Sequence, residues 1–109
     1  MTFQTSETPL YSDLSSDPDL KEIVELFVDE MPSRISTLLT QIENNDLDGL
    51  KQTAHQLKGA AGSYGFSTIS PQAGEVEDMI REGCPAEQIH QSVNDLVALC
   101  RRVTAETPL

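Results

Sequence analysis

The sequence is poor in basic and aromatic residues. It has 7 Lys and Arg against 18 Asp and Glu, which gives a formal net charge of −11. Aromatic side chains make up only 5% of the residues and Trp is absent, so an aliphatic core is expected. A surface this acidic does not attract the phosphates of nucleic acid or an anionic membrane. We therefore expect no nucleic-acid partner and no membrane insertion.

Long apolar runs and a cysteine framework are also missing. No stretch reaches the roughly 18 apolar residues that a membrane-spanning helix needs. Two cysteines, Cys84 and Cys100, are too few to form a disulfide framework in a chain of 109 residues. We therefore expect the protein to lie in a reducing compartment. The opening residues MTFQTSETPL have neither a basic end nor an apolar run, so they do not resemble a signal peptide. These features predict a cytoplasmic protein or module.

Motifs for ATP-dependent and metal-dependent chemistry are absent as well. There is no glycine-rich phosphate loop of the Walker or kinase type, and no Cys-x-x-Cys pair. The two histidines, His55 and His90, are not at a spacing that ligates a metal together. We therefore expect no metal site in the chain, and we interpret His90 as a surface residue.

Helical periodicity is what the sequence has instead. Apolar residues recur at intervals of three and four in four consecutive segments, and no window alternates with the period of a strand. The first segment starts after Asp17 as N-cap and contains Pro32, which should kink it. The second starts at Asp46 as N-cap and stops at Gly65. The third is expected over 67–83 with Ser70 as N-cap.

The fourth helix is expected over 85–106, and the connections between the helices are short. Short connections predict an all-α, antiparallel up-down four-helix bundle, here with a short additional N-terminal helix built on Leu10, Tyr11 and Leu14. Residues 1–9 are expected to be flexible and 10–105 to form the domain. No long apolar outward face is evident, so a monomer is expected.

His55 lies on the outward face of the second predicted helix. At about 100° per residue it falls roughly 130° from the centre of that helix's apolar stripe. The segment from Gly49 to Gly74 contains no Asp or Glu. A neutral imidazole has a nucleophilic lone pair, and a nearby lysine can offset the charge of a phosphoryl group carried on it. The neighbours of His55 on the outward face include Lys51, Gln52, Lys58, Gly59 and Gly62.

The stretch AHQLKGAAGSYG resembles the motif of histidine phosphotransfer (HPt) domains. In that family a histidine is followed by x-x-Lys-Gly, small residues, an apolar position and a final glycine. The chain has this pattern from His55 to Gly65, with Tyr64 at the apolar position as a mild departure. The preceding segment DPDLKEIVELFVDEMPSRISTLL resembles the family's long second helix, inner proline included. The resemblance covers about Leu10 to Arg102.

The resemblance implies a carrier that shuttles a phosphoryl group between aspartates of response-regulator receiver domains, with a hybrid sensor kinase as another possible partner. It implies that His55 accepts the phosphoryl group, that Lys58 supports the phosphate and that Gly59 permits close docking. The resemblance also implies that the chain binds no ATP and needs no cofactor, because the divalent metal is expected on the receiver only. The family often places a Gln or Glu on the third helix to hold the ring through its other nitrogen, and Glu77 falls at that position, with Gln52 as a rival.

Further residues complete the predicted site. Lys51, one turn before His55, can help to support the phosphate, and Gly62 thins the helix surface for docking. Leu26 lies off its helix's apolar stripe, so it either joins an apolar docking patch or is covered by the N-terminal segment. The alternative function is a non-catalytic adaptor, in which the same bundle only binds a signalling partner.

Overall fold

The computed structural model describes residues 8–107, which form four helices and two very short strands. Strands β1 (Leu10–Tyr11) and β2 (Val103–Thr104) pair in parallel. None of the described helices is both long enough and apolar enough to cross a lipid bilayer. The predicted all-α class with four bundled helices is confirmed, and the antiparallel orientation stays a prediction. Helices α1 to α4 span Lys21–Glu43, Leu47–Ser63, Ile69–Arg81 and Ala86–Cys100.

Each helix buries the apolar face that its periodicity predicts. Most of the core is aliphatic, but Phe27 and Phe66 are buried with their ring centroids 5.1 Å apart. Helix α2 packs most closely on α3, which brings the outward face of α2 beside one edge of α3. The buried apolar residues of α1 and α2 are Val24, Phe27, Met31, Leu38, Ile42, Leu50, Ala54, Leu57 and Ala61.

The ends of α2 are fixed by local chemistry that the sequence predicts. The side chain of Asp46 accepts a hydrogen bond from Gly49 N at 3.0 Å, as an N-cap does. After the helix, Gly65 has a φ of +83°, a conformation that favours glycine. The preceding helix, α1, continues through Pro32 without ending there.

The predicted N-terminal helix is wrong. Leu10 and Tyr11 form β1, in which Leu10 N donates to Arg102 O at 2.7 Å, and a 3₁₀ helix, Pro18–Leu20, leads into α1. Helix α4 ends at Cys100 rather than near residue 106, because the chain after it forms β2 and pairs with β1. Two peptide segments from opposite ends of the sequence thereby satisfy each other's backbone groups.

Two further expectations concern the helix start of α3 and the N-terminal residues. Ser70 does not cap α3: the helix begins at Ile69, and Ser70 Oγ instead donates to Lys58 O at 2.9 Å. The expected flexibility of 1–9 falls mostly on 1–7, outside the described residues. At its end, Thr8 accepts two hydrogen bonds from Arg102, each 2.8 Å long.

Candidate functional site

His55 lies midway along α2 and its side chain is 64% exposed. Ala54, one residue before it, and Leu57, two residues after it, are buried in the core, so the ring projects from the opposite side of the helix. This outward placement is what the helical wheel predicts. The ring is therefore open to a partner molecule.

Glu77 of α3 lies under the ring with only 7% of its side chain exposed. Its Oε2 is 2.9 Å from His55 Nδ1. An ionised carboxylate only accepts hydrogen bonds, so Nδ1 carries a proton and donates it to Oε2. The neutral ring then has its lone pair on Nε2, the nitrogen that can act as a nucleophile. The geometry thus fixes both the orientation and the tautomer of His55.

Lys58, one turn after His55, reaches the other oxygen of the same carboxylate. Its Nζ is 3.0 Å from Glu77 Oε1, an ion pair in which Oε1 lacks a hydrogen bond of good geometry. The lysine stem crosses α3 at Gly74, where a Cβ would lie 3.0 Å from Lys58 Cδ. A side chain at Gly74 would therefore displace the stem. Gly74 was not singled out from the sequence, since nothing in a single sequence indicates which residue a lysine crosses.

Arg81, one turn after Glu77 on α3, is the third cation at this carboxylate and was also missed. Its Nη2 lies 2.9 Å from Glu77 Oε2, and its Nη1 lies 2.7 Å from Asp78 Oδ1. The signal that could have found it is the Glu-to-Arg spacing of four residues on one helix, which places the two side chains together.

The buried carboxylate of Glu77 stays ionised in these surroundings. Lys58 is the main reason that the pKa of Glu77 lies below its ordinary value of 4.5, and His55 lowers it further. Desolvation opposes both, because burial disfavours the charged form. An anionic Glu77 is thus an acceptor for His55 Nδ1 at neutral pH.

The other polar candidates lie beside the ring without bonding to it. Lys51, Gln52, His55 and Glu77 line a shallow open depression. Within residues 8–107 no hydrogen bond joins Gln52 to His55, so Glu77 rather than Gln52 contacts the ring in this structure. The described part of the chain also contains no group of three or more His, Cys, Asp and Glu that could hold a metal.

The surface around His55 is open at the two glycines. A Cβ at Gly59 would meet nothing within 4 Å, whereas one at Gly62 would make an ordinary 3.4 Å contact with Ser70 Oγ. Leu26 on α1 is 57% exposed, next to the exposed Ile23. The N-terminal segment packs on the core and leaves Leu26 uncovered among the described residues, so the covered interpretation is wrong for them.

Comparison with known proteins identifies a family for this chain. The family model described as Hpt domain matches residues 22–105. The chain is also 30% identical over 79 residues to phosphotransferase RcsD of Escherichia coli strain K12, in an alignment that covers 72% of this chain and 9% of that protein. The chain thus corresponds to a small part of its relative's length, and no solved structure matches it. On the family match over most of its length, the chain belongs to the Hpt domain family.

Proposed function

We propose that this chain is a phosphocarrier in which His55 takes a phosphoryl group from an aspartyl phosphate of one receiver domain and passes it to an aspartate of another. Family membership supports the coarser role, histidine phosphotransfer in a phosphorelay. The observation that carries the assignment to His55 is its exposed ring with Nδ1 held 2.9 Å from Glu77. That hydrogen bond leaves Nε2 facing outward with its lone pair.

The transfer step follows from this arrangement. The Nε2 lone pair attacks the phosphorus of the aspartyl phosphate, a nitrogen–phosphorus bond forms, and the bond from phosphorus to the aspartate oxygen breaks. The bonding electrons leave with the aspartate as carboxylate. The ring, which keeps its proton on Nδ1, becomes positively charged, and the Glu77 carboxylate stabilises that charge in place. The reverse step delivers the group to a second aspartate.

Lysine side chains would offset the charge of the phosphoryl group. Lys58 is paired with Glu77, but its side chain is 41% exposed, so its Nζ can turn toward a group on Nε2. Lys51 lies at the rim of the same depression and would assist. Receiver docking would use the open surface at Gly59 and Gly62 together with the exposed Leu26.

The partners and setting belong to the same proposal. The donor or acceptor is a response-regulator receiver domain, free or within a hybrid sensor kinase, and it brings its own divalent metal. The carrier works as a monomer. It works in the cytoplasm, where a reducing environment suits its two free thiols, Cys84 and Cys100. It needs no cofactor and no ATP.

The test compares the two histidines of the chain. A receiver domain is charged with labelled acetyl phosphate and mixed with the wild type, His55→Gln or His90→Gln. We expect label on the wild type and on His90→Gln, and none on His55→Gln. His90 is an exposed residue of α4, so it is a matched control. All three chains should keep the same helical circular dichroism, because both side chains point to solvent.

The chemistry of the label gives a second criterion. A phosphoryl group on nitrogen is lost in acid and kept in mild base. Label that persists in His55→Gln would refute the assignment. Absence of label on the wild type from every receiver tested, with binding retained, would instead favour the non-catalytic adaptor.

A further inference from the structure

One oxygen of Glu77 serves two donors. Oε2 lies 2.9 Å from His55 Nδ1 and 2.9 Å from Arg81 Nη2. A carboxylate oxygen has lone pairs for both, but a guanidinium bound there reduces the negative potential that the imidazole meets. The state of the ring therefore depends on Arg81 as well as on Glu77.

The charged groups around the ring come from two helices. Helix α2 contributes Lys51 and Lys58, and α3 contributes Glu77 and, through it, Arg81. Asp78 is directed at Arg81, 2.7 Å away, so Arg81 pairs with both acids on this part of α3. Without the guanidinium, the Glu77 carboxylate would face the imidazole with the lysines alone to oppose it.

We propose that Arg81 is a positioning residue of this site, which compensates the Glu77 carboxylate at Oε2 so that the lone pair on His55 Nε2 stays available for attack. A carboxylate beside an imidazole favours the imidazolium, in which Nε2 carries a proton and has no lone pair to attack with. The inference rests on the proposed function, because only a nucleophilic role requires that lone pair.

Arg81 and Lys58 then have separate tasks. Lys58 holds Oε1 and is the cation that can turn toward a phosphoryl group on Nε2. Arg81 pairs with Glu77, four residues before it on α3, and with Asp78, three residues before it. Its guanidinium therefore stays on Glu77 when Lys58 leaves. The carboxylate is thereby kept compensated, and its hold on Nδ1 unchanged, throughout the transfer.

The test uses the full chain with Arg81→Gln, Arg81→Lys and the control Arg101→Gln. Arg101 is an exposed arginine after α4, so its variant removes the same charge at a distance from the site. Nitrogen NMR of the imidazole at pH 7 reports how much of His55 is neutral. The rate of transfer from a receiver domain charged with acetyl phosphate is measured across a pH series.

We expect Arg81→Gln to lower the neutral fraction of His55 at pH 7 and to shift the pH–rate profile upward. A shift of about half a unit to one unit is the size that one charge a few ångströms away produces in a largely solvated site. The rate at high pH should not fall, because Glu77 still stabilises the positive ring that the transfer forms. Arg81→Lys should restore the wild-type profile, and Arg101→Gln should leave it alone.

Two results would overturn the inference. One is a neutral fraction in Arg81→Gln equal to that of the wild type. The other is a rate that falls at every pH and is not rescued by Arg81→Lys, since that is the result of a purely structural contact. The NMR measurement needs no phosphoryl donor, so a wild type that takes no label would defeat the proposed function and still leave the effect of Arg81 measurable.

Discussion

At the scale of single residues, Glu77 sets the properties of the site. It is a buried carboxylate that orients an exposed ring, and an ionised group this far from water is costly unless it is paired. Lys58 and Arg81 supply that pairing from partly exposed positions. A glutamine here could accept the same hydrogen bond from Nδ1, but it would not stabilise the positive ring that the proposed transfer would form.

Glu77 should also make the stability of the fold depend on pH. Because its folded pKa lies below 4.5, its ionised form stabilises the chain above that pH, and this contribution is lost as the pH falls through the folded value. Glu77→Gln should reduce the free energy of unfolding by roughly 1–2 kcal/mol near neutral pH. The deficit should shrink below pH 4.5, as measured by urea unfolding at a series of pH values.

The control for this prediction is Glu25→Gln, at an exposed carboxylate on α1. It should unfold like the wild type at each pH. A deficit in Glu77→Gln that stays constant from neutral to acid pH would mean that the ionised form of Glu77 does not stabilise the fold.

The sequence predicted those residues of the site that belong to a motif or to a characteristic helical position. His55 and Lys58 follow from one short motif, and Glu77 from its position on the third helix in the resemblance. Arg81 and Gly74 act through the register between α2 and α3, which one sequence does not reveal. Ser70 was misassigned because a serine before a proline is typical of an N-cap, whereas here its hydroxyl finds Lys58 O on the neighbouring helix.

At the scale of elements, the N-terminal arm, here residues 8–17, holds the end of the helix that carries His55. Ser12 Oγ donates to Tyr64 O, and Asp13 N donates to Gly65 O at 2.8 Å. These bonds satisfy carbonyl groups just beyond α2, where a helix leaves its last acceptors free. The arm fits there only because Gly65 has no side chain: a Cβ would lie 2.9 Å from Asp13 N.

A pair of glycine variants separates this close contact from backbone conformation. Gly65 and Gly83 both have positive φ, +83° and +72°, but a Cβ at Gly83 would meet nothing within 4 Å. Gly83→Ala should cost about 1 kcal/mol, for the left-handed backbone alone. Gly65→Ala should cost roughly 1–3 kcal/mol more, because the arm must also move. Urea unfolding of the two variants measures the difference, and equal costs would mean that the arm shifts freely.

The helices were predictable and the strands were not, for a physical reason. An amphipathic helix repeats its signal over several turns, as Leu50, Ala54, Leu57 and Ala61 do in α2. Strands β1 and β2 contain two residues each, too few for any period. Their pairing depends on where the two ends of the chain meet, so the end of α4 at Cys100 could not be predicted either.

At the scale of the whole molecule, charge is unevenly distributed. The chain carries a net −11, yet residues 49–74, which include the turns around His55, have no acid. By contrast, Glu25 and Asp29 of α1 and Glu106 of the segment after α4 line a shared depression. A phosphoryl group, itself an anion, would therefore sit in the least acidic part of the sequence, and docking is expected there rather than over this acidic depression.

Gly59 allows folding and docking to be separated in that region. It lies inside α2 where a Cβ would meet nothing within 4 Å, so Gly59→Ala should raise the free energy of unfolding by roughly 1 kcal/mol. Gly59→Leu should fold as well, yet its side chain would project where a receiver must approach His55. We expect it to slow transfer from a charged receiver at least tenfold, the effect of about 1.4 kcal/mol of lost contact.

Ala98→Leu is the matched control, because Ala98 is exposed on α4 and the site is built from α2 and α3. It adds a similar apolar side chain to the surface and should leave transfer unchanged. Stopped-flow or quenched transfer assays, run beside urea unfolding, give both quantities for each variant. If Gly59→Leu transferred as fast as the wild type, the receiver would have to approach Nε2 from another direction, and the role of Gly59 in docking would be lost even though its effect on helix stability remained.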